Sequence, residues 1–248
     1  MTRLFLTLRY RGTNYHGWQV QPNGVTVQET LQNAIEAVTG VRSGVIGCSR
    51  TDAGVHAEKF CCTFDTDCPL RGERLALALN AHLPADVAVS DVREVAADFH
   101  PRYDARGKRY VYRIWNGRQR NPFFEENAVH IAVPLDDAKM DTAAKGFLGT
   151  HDFAPFCAAG SSVEDTVRTV FRCDVKREGD LVTVTVEADG FLYNMVRIMV
   201  GTLLDMVSGR LPEDAIATSF ESKAREFAGT TAPAKGLTLT DVFYDERS

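Results

Sequence analysis

The sequence predicts an α+β fold of two comparable halves, each stacking strands and helices in two layers. Three observations carry that expectation. Apolar residues alternate with a period of two at the start of the chain and again after residue 107, as strands with one buried face do. Apolar residues at helical spacing follow each of those stretches. Gly, Pro, Asn and Asp punctuate the change from one pattern to the other.

Taken in order, Leu4, Leu6, Leu8 and Tyr10 alternate along an opening strand. Thr26 and Glu29 have capping-box spacing, and Val27, Leu31, Ile35 and Val38 then line one face of a helix. Val45-Ile46-Gly47-Cys48 reads as a short buried strand that runs into a polar loop. Leu75, Leu79 and His82 share a face of a second helix ending before Pro84, and Val87, Val89 and Val92 mark another strand. In the second half, residues 109–115 alternate with Tyr110, Tyr112 and Ile114 on one side. A helix follows Pro134, around residues 140–148. Residues 166–176 and 181–188 read as paired strands around the turn Arg177-Glu178-Gly179-Asp180. A late helix spans about 193–208 and stops at Gly209 and Pro212; Leu237, Leu239, Val242 and Phe243 close the chain as a strand. The seam falls near 100–106 and is set at 103, giving halves 1–103 and 104–248.

At 44% hydrophobic and 25% charged, the 248 residues can bury a core, which excludes wholesale disorder. No apolar run approaches the roughly 20 residues that span a bilayer, and the first residues lack the apolar stretch of a signal peptide. The expectation is a soluble, cytoplasmic protein. Cys48, Cys61, Cys62, Cys68, Cys157 and Cys173 form no C-x-x-C pair, so they are expected to be reduced structural thiols rather than metal ligands.

A net charge of −5 argues mildly against a nucleic-acid partner, but its distribution argues the other way. Arg102, Arg106, Lys108, Arg109, Arg113, Arg118 and Arg120 face only Asp104 between positions 101 and 120, a local +6 that leaves −11 elsewhere. Interleaved with aromatics, such a stripe is a nucleic-acid footprint or a solvated strand face, and the residues alone leave both open.

Chemistry concentrates in Gly47-Cys48-Ser49-Arg50-Thr51-Asp52-Ala53-Gly54-Val55-His56-Ala57. Arg50 and Asp52 stand two apart, so an extended loop sets them on one side, where the guanidinium favours an ionised carboxylate. An ionised, oriented carboxylate serves as nucleophile or base at a sugar centre. Thr-Asp-Ala-Gly is equally an ordinary turn with an Asp satisfying backbone N–H groups.

The string Arg-Thr-Asp-Ala-Gly-Val-His resembles the active-site motif of the TruA family of tRNA pseudouridine synthases. Four further segments resemble that family in the same order. They are the opening loop Tyr10–Pro22, the strand Lys108–Tyr112, the helix start Gly190–Arg197, and the C-terminal loop Ala232–Leu237. Two departures stand out: Ser49 where many members have Gly, and Tyr193 and Asn194 where many have His at one or both.

The resemblance implies two ferredoxin-like (RNP-like) halves, joined through a mostly antiparallel sheet with helices on one side and a central basic cleft. It implies conversion of uridine to pseudouridine at positions 38, 39 and/or 40 of the tRNA anticodon stem-loop, by a homodimer, with base flipping and no cofactor or metal. Asp52 matches the essential aspartate and Arg50 an arginine that contacts RNA and helps expose the base. Tyr110 matches the tyrosine that stacks on the target, and Arg197 an arginine that ion-pairs with the aspartate. Lys108 and Arg109 are the expected RNA-binding cations beside Tyr110.

Two rival classes are weighed against this reading. A nucleoside or N-glycoside hydrolase needs a second carboxylate as acid, and only Glu58, Asp65 and Asp67 lie near Asp52 in sequence. A non-catalytic RNA-binding module would have no use for Arg197 inside the apolar run 195–200.

Overall fold

The alternation at the chain's start becomes strand β1 (Thr2–Tyr10), with Leu4, Leu6 and Leu8 fully buried. In the computed structural model, which describes residues 1–160 and 163–244, the chain divides into two compact units. One comprises Met1–Arg106 and the chain from Thr238 onward; the other is Gly107–Leu237. The first unit therefore runs past residue 103 and takes in the closing strand, which the sequence reading assigned to the second half.

In the first unit β1 is followed by α1 (Val27–Thr39), β2 (Ile46–Gly47), β3 (His56–Thr66), α2 (Gly72–Asn80) and β4 (Val87–Glu94). Thr26 Oγ1 accepts the Glu29 N–H at 3.3 Å, so the expected cap starts α1. β1 pairs antiparallel with β3 on one side and β4 on the other, and β2 pairs antiparallel with β3, giving the order β4-β1-β3-β2. Leu31 and Ile35 of α1 and Leu75 and Leu79 of α2 are fully buried, and the two helices touch each other.

β3 is the spine of this unit. Its residues 60–64 are buried in succession, which requires cover on both faces rather than one. Burial pushes the Cys61 thiol up to about 12 and Cys62 well above its usual value, so both stay neutral. All six cysteines are free thiols. On β1, Phe5 faces away from Leu4 and Leu6, and Phe99 and Tyr244 meet it edge-on at 5.6 and 5.4 Å.

Three local expectations need correction. β3 was not read as a strand at all. Of the expected buried strand 45–48 only Ile46–Gly47 pairs, and Ile46 is 41% exposed. His82 lies beyond the end of α2 and is exposed rather than on its buried face.

The second unit begins with β5 (Gly107–Trp115) and β6 (Val129–His130), then α3 (Asp137–Ala144) and β7 (Gly149–Asp152). β8 (Val167–Glu178), β9 (Leu181–Ala188), α4 (Met195–Val207) and α5 (Ala215–Ser222) complete it. The antiparallel order is β5-β9-β8-β7, with the short β6 parallel to β5. Tyr112 and Ile114 are fully buried and Tyr110 nearly so, as the alternation requires. α3 packs against β8 and α4.

α4 is clamped along its length by the segment 229–232. Gly229 N–H donates to Thr202 Oγ1 at 2.8 Å, Thr230 N–H to Asp205 Oδ2 at 2.9 Å, and Ala232 N–H to Arg197 O at 3.0 Å. Such proximity needs a helix position without a side chain: a Cβ on Gly201 would stand 1.7 Å from Thr230 O. The segment continues to Pro233, whose carbonyl accepts the Tyr112 hydroxyl at 2.8 Å.

β10 (Leu237–Phe243) then returns to the first unit, parallel to β3, with Thr238 opposite His56 and Leu239 opposite Ala57. An ion pair at 2.6 Å between Lys59 and Asp241 joins the same two strands. Among the described residues no helix is long and apolar enough to cross a membrane.

Gly201→Ala tests the clamp because two effects oppose each other. In an open helix interior the change stabilises by up to about 1 kcal/mol. Against a backbone carbonyl it is expected to destabilise by about 1–3 kcal/mol. The check is a lower urea midpoint at unchanged slope; a raised midpoint contradicts the packing of 229–232 on α4.

Candidate active site

Asp52 sits in the loop between β2 and β3, half-buried, with Arg50 exposed two residues before it. Between them Thr51 is buried, and its hydroxyl lies 2.8 Å from the Tyr10 hydroxyl at the end of β1. The inward Thr51 leaves its neighbours turned toward the surface, which is the arrangement expected of an alternating loop. The Val55 N–H closes a turn onto Asp52 O at 3.1 Å.

The loop is held from outside by residues 12–18. Trp18 N–H donates to Thr51 O at 3.1 Å and Gly54 N–H to Tyr15 O at 3.3 Å. Gly12 N–H donates to His56 Nδ1 at 3.0 Å, so this buried imidazole is an acceptor tying the two loops together. Trp18 stacks on Phe60 at 4.0 Å, seating the opening loop on β3. Tyr15 donates to Asp86 Oδ1 at 2.7 Å; burial first, then that carboxylate, raise its pKa and keep it a neutral donor.

Gly17 makes the approach possible. Its φ of +86° lies where L side chains are strained, and a Cβ there would meet Thr51 O at 2.6 Å and the Asp52 carbonyl carbon at 3.2 Å.

The other candidate residues belong to the second unit. Arg197, in the first turn of α4, donates from Nε to Ala232 O at 2.7 Å and from Nη1 to Asn194 Oδ1 at 2.6 Å. The guanidinium is thus turned into hydrogen-bonding partners rather than snorkelling out along the helix. Tyr110 is 6% exposed, its ring edge-on to Phe191 at 5.0 Å.

Lys108 and Arg109 do not form one cationic face. Strand alternation turns them to opposite sides of β5, and Lys108 is only 8% exposed. Arg109 Nε is ion-paired to Glu187 Oε1 at 2.6 Å, directly across the ladder on β9.

The structure thus gathers Arg50 and Asp52 in one loop, and Tyr110, Lys108, Arg109 and Arg197 in the second unit. Sequence reasoning missed the supports: Thr51 and Tyr10, His56 as an acceptor, Phe191, and Asn194. Of these, Asn194 stands out in the sequence only as a departure from the residues common in the family that the chain resembles.

A family model described as tRNA pseudouridine synthase matches residues 7–104 and 143–245. The match takes in Arg50, Asp52 and Arg197, while Lys108, Arg109 and Tyr110 fall between its two segments. A tRNA pseudouridine synthase A of Acetivibrio thermocellus is 45% identical over 244 residues, covering 98% of this chain and 100% of the relative. One of Clostridium acetobutylicum is 44% identical with the same coverage of both chains. The chain belongs to the tRNA pseudouridine synthase family, whose members are isomerases.

Gly17→Ala is expected to strain the turn and push on the Asp52 loop, costing about 1–3 kcal/mol and lowering catalytic activity. Denaturant unfolding and turnover, measured on one preparation, check both effects. Unchanged values for both contradict the contact.

Proposed function

We propose that this chain isomerises uridine to pseudouridine at positions 38, 39 and/or 40 of the tRNA anticodon stem-loop, with Asp52 as the catalytic carboxylate. The observation that carries this is the Asp52 loop itself. A motif matching the family's active site stands half-buried on a backbone fixed by the opening loop, within a chain whose relatives match it end to end.

The reaction breaks the N1–C1′ bond, turns the uracil, and joins C5 to C1′; a proton leaves C5 and one is taken up at N1. Asp52 acts on the ribose, either by attack at C1′ or by removing the C2′ proton. A stacked uracil is out of reach of such a group, so the base is flipped into the site. Tyr110, braced by Phe191, is the aromatic against which the flipped base is set. Arg50, exposed beside Asp52, holds the RNA and helps keep the base out of its stem. Lys108 and Arg109, just before Tyr110, are the substrate-binding cations, Arg109 by exchanging Glu187 for phosphate. Arg197 is the cation that the resemblance pairs with Asp52, keeping the carboxylate ionised and directed. We assign the enzyme to the cytoplasm as a homodimer, on the same resemblance.

The two units are proposed to be ferredoxin-like. Supporting this, the first has strand order β4-β1-β3-β2 with α1 after β1 and α2 after β3. In the second, β5, α3, β8, β9 and α4 follow in the corresponding chain order, with β9 between β5 and β8.

Asp52→Asn is nearly isosteric and removes the ionised oxygen. It is expected to abolish tritium release from tRNA labelled at uracil C5. Affinity for tRNA should fall by less than about tenfold, roughly 1.4 kcal/mol. Substantial residual turnover would sink the mechanism, and release of free uracil by the wild type would mean hydrolysis instead.

Arg197→Met is expected to reduce kcat greatly and to move the acidic limb of the pH profile upward, because a carboxylate without its cation holds its proton to higher pH. Stability should fall by about 1–3 kcal/mol, since the buried Ala232 carbonyl loses its Nε donor. A variant with wild-type kcat and an unmoved limb would falsify the role of Arg197.

A further inference from the structure

We infer that Asn194 is a positioning residue for Arg197, setting the direction of its guanidinium from the start of α4. Asn194 has φ 59° and ψ 9°, one of two non-glycine residues with positive φ among those described. The other, Lys223, closes the C-terminal end of α5, where a left-handed residue is ordinary. Asn194 stands at the opposite kind of place. A residue before a helix is usually extended, with its side chain accepting a backbone N–H of the first turn.

Asn194 does neither. Its side chain makes no cap bond, and Oδ1 instead accepts Arg197 Nη1 at 2.6 Å. The left-handed turn, which Asn tolerates better than other residues with a Cβ, gives up the cap and presents the amide oxygen to the guanidinium.

The second anchor is independent of the first. Arg197 Nε donates to Ala232 O at 2.7 Å, and the Ala232 N–H returns a bond to Arg197 O at 3.0 Å. A guanidinium is planar, so anchoring it at Nε and Nη1 together fixes both its plane and its rotation about the side-chain axis. The bond to Ala232 holds Nε, and the bond to Asn194 holds a second nitrogen at the end of the group. Asn194 thereby acts on the direction of the guanidinium through a direct bond to it.

The inference rests on the proposed role of Arg197 in the reaction, and its test separates the two. Asn194→Gly keeps a residue at ease with the left-handed backbone and deletes only the acceptor. Asn194→Asp keeps an acceptor in place. Steady-state tritium release is measured on full-length protein, with a pH profile and unfolding midpoint for each variant. Asn194→Gly is expected to lower kcat about tenfold or more, with KM for tRNA changed less than about twofold. Its acidic limb should move in the direction seen for Arg197→Met, and Asn194→Asp should recover most of the lost kcat. In the Arg197→Met background, Asn194→Gly should cost little more. If glycine loosens the helix start enough to unfold the protein, Asn194→Ala supplies the same deletion on a less flexible backbone.

Wild-type kcat in Asn194→Gly overturns the inference, as does a loss confined to KM or one that adds in full to that of Arg197→Met. If Arg197→Met is impaired while Asn194→Gly is not, only the positioning role falls. If Arg197→Met keeps full kcat, the proposed role of Arg197 and this inference fall together.

Discussion

Both candidate catalytic side chains hang from backbone that is held by other backbone, and glycine is what lets the chains come that close. At Asp52 the holding segment is the opening loop, where Gly17 lies against the Thr51 carbonyl. At Arg197 it is residues 229–232, where Gly201 lets a passing strand touch the helix itself. A side chain at either position would separate the layers by the width of a methyl group. That is enough to misdirect a catalytic group, because sites of this kind tolerate errors of only about half an ångström.

Backbone contact of this sort fixes a loop without relying on any one side chain. On the proposed mechanism, a single carboxylate would draw its rate from orientation and from a fixed electrostatic setting. Thr51, whose hydroxyl meets Tyr10, and His56, which accepts the Gly12 N–H, hold the loop that carries Asp52. They stand on either side of Asp52 in sequence and tie each flank of its loop to a different point of the opening segment. β3 then anchors the downstream end, pairing with β1, β2 and β10.

Strands with one buried face were legible in the sequence, and the strand covered on both faces was not. β1 and β5 show period-two alternation because one face packs along its length, while on the other face of β1 Phe5 is the buried position. α1 announced itself by Thr26 and its apolar stripe, and α4 by its apolar run and the stop at Gly209. β3 was invisible for the converse reason: residues 60–64 are covered on both sides, so Phe-Cys-Cys-Thr-Phe shows no alternation. β2 contributes two residues and survives only because β3 offers it a partner. His82 fitted the helical period, but α2 ends at Asn80, whose side chain instead bonds both backbone groups of Val89. In the site, the motif residues were legible by type. Their supports were not, since bonds such as Tyr10 to Thr51 or Gly12 to His56 join positions about forty apart that no local pattern relates.

The cationic stripe shows how the fold redistributes charge that the sequence sets side by side. Lys108 is buried with β5, and Arg109 is held by Glu187, which also accepts Arg172 Nη1 at 3.3 Å. Arg172 in turn bonds Asp174, whose carboxyl is held below its usual range first by Lys145 and then by Arg172 itself. Much of the positive charge near β5 is thus engaged in a network spanning β5, β9, β8 and the end of α3. Arg102 and Arg106 before the strand, and Arg118 and Arg120 after it, remain exposed. On a protein with a net charge of −5, the exposed cations of this stretch are therefore those before and after β5 rather than those on it. On β5 itself the inward positions are taken by Tyr110, Tyr112 and Ile114, so the strand's own alternation divides charge that the sequence sets side by side.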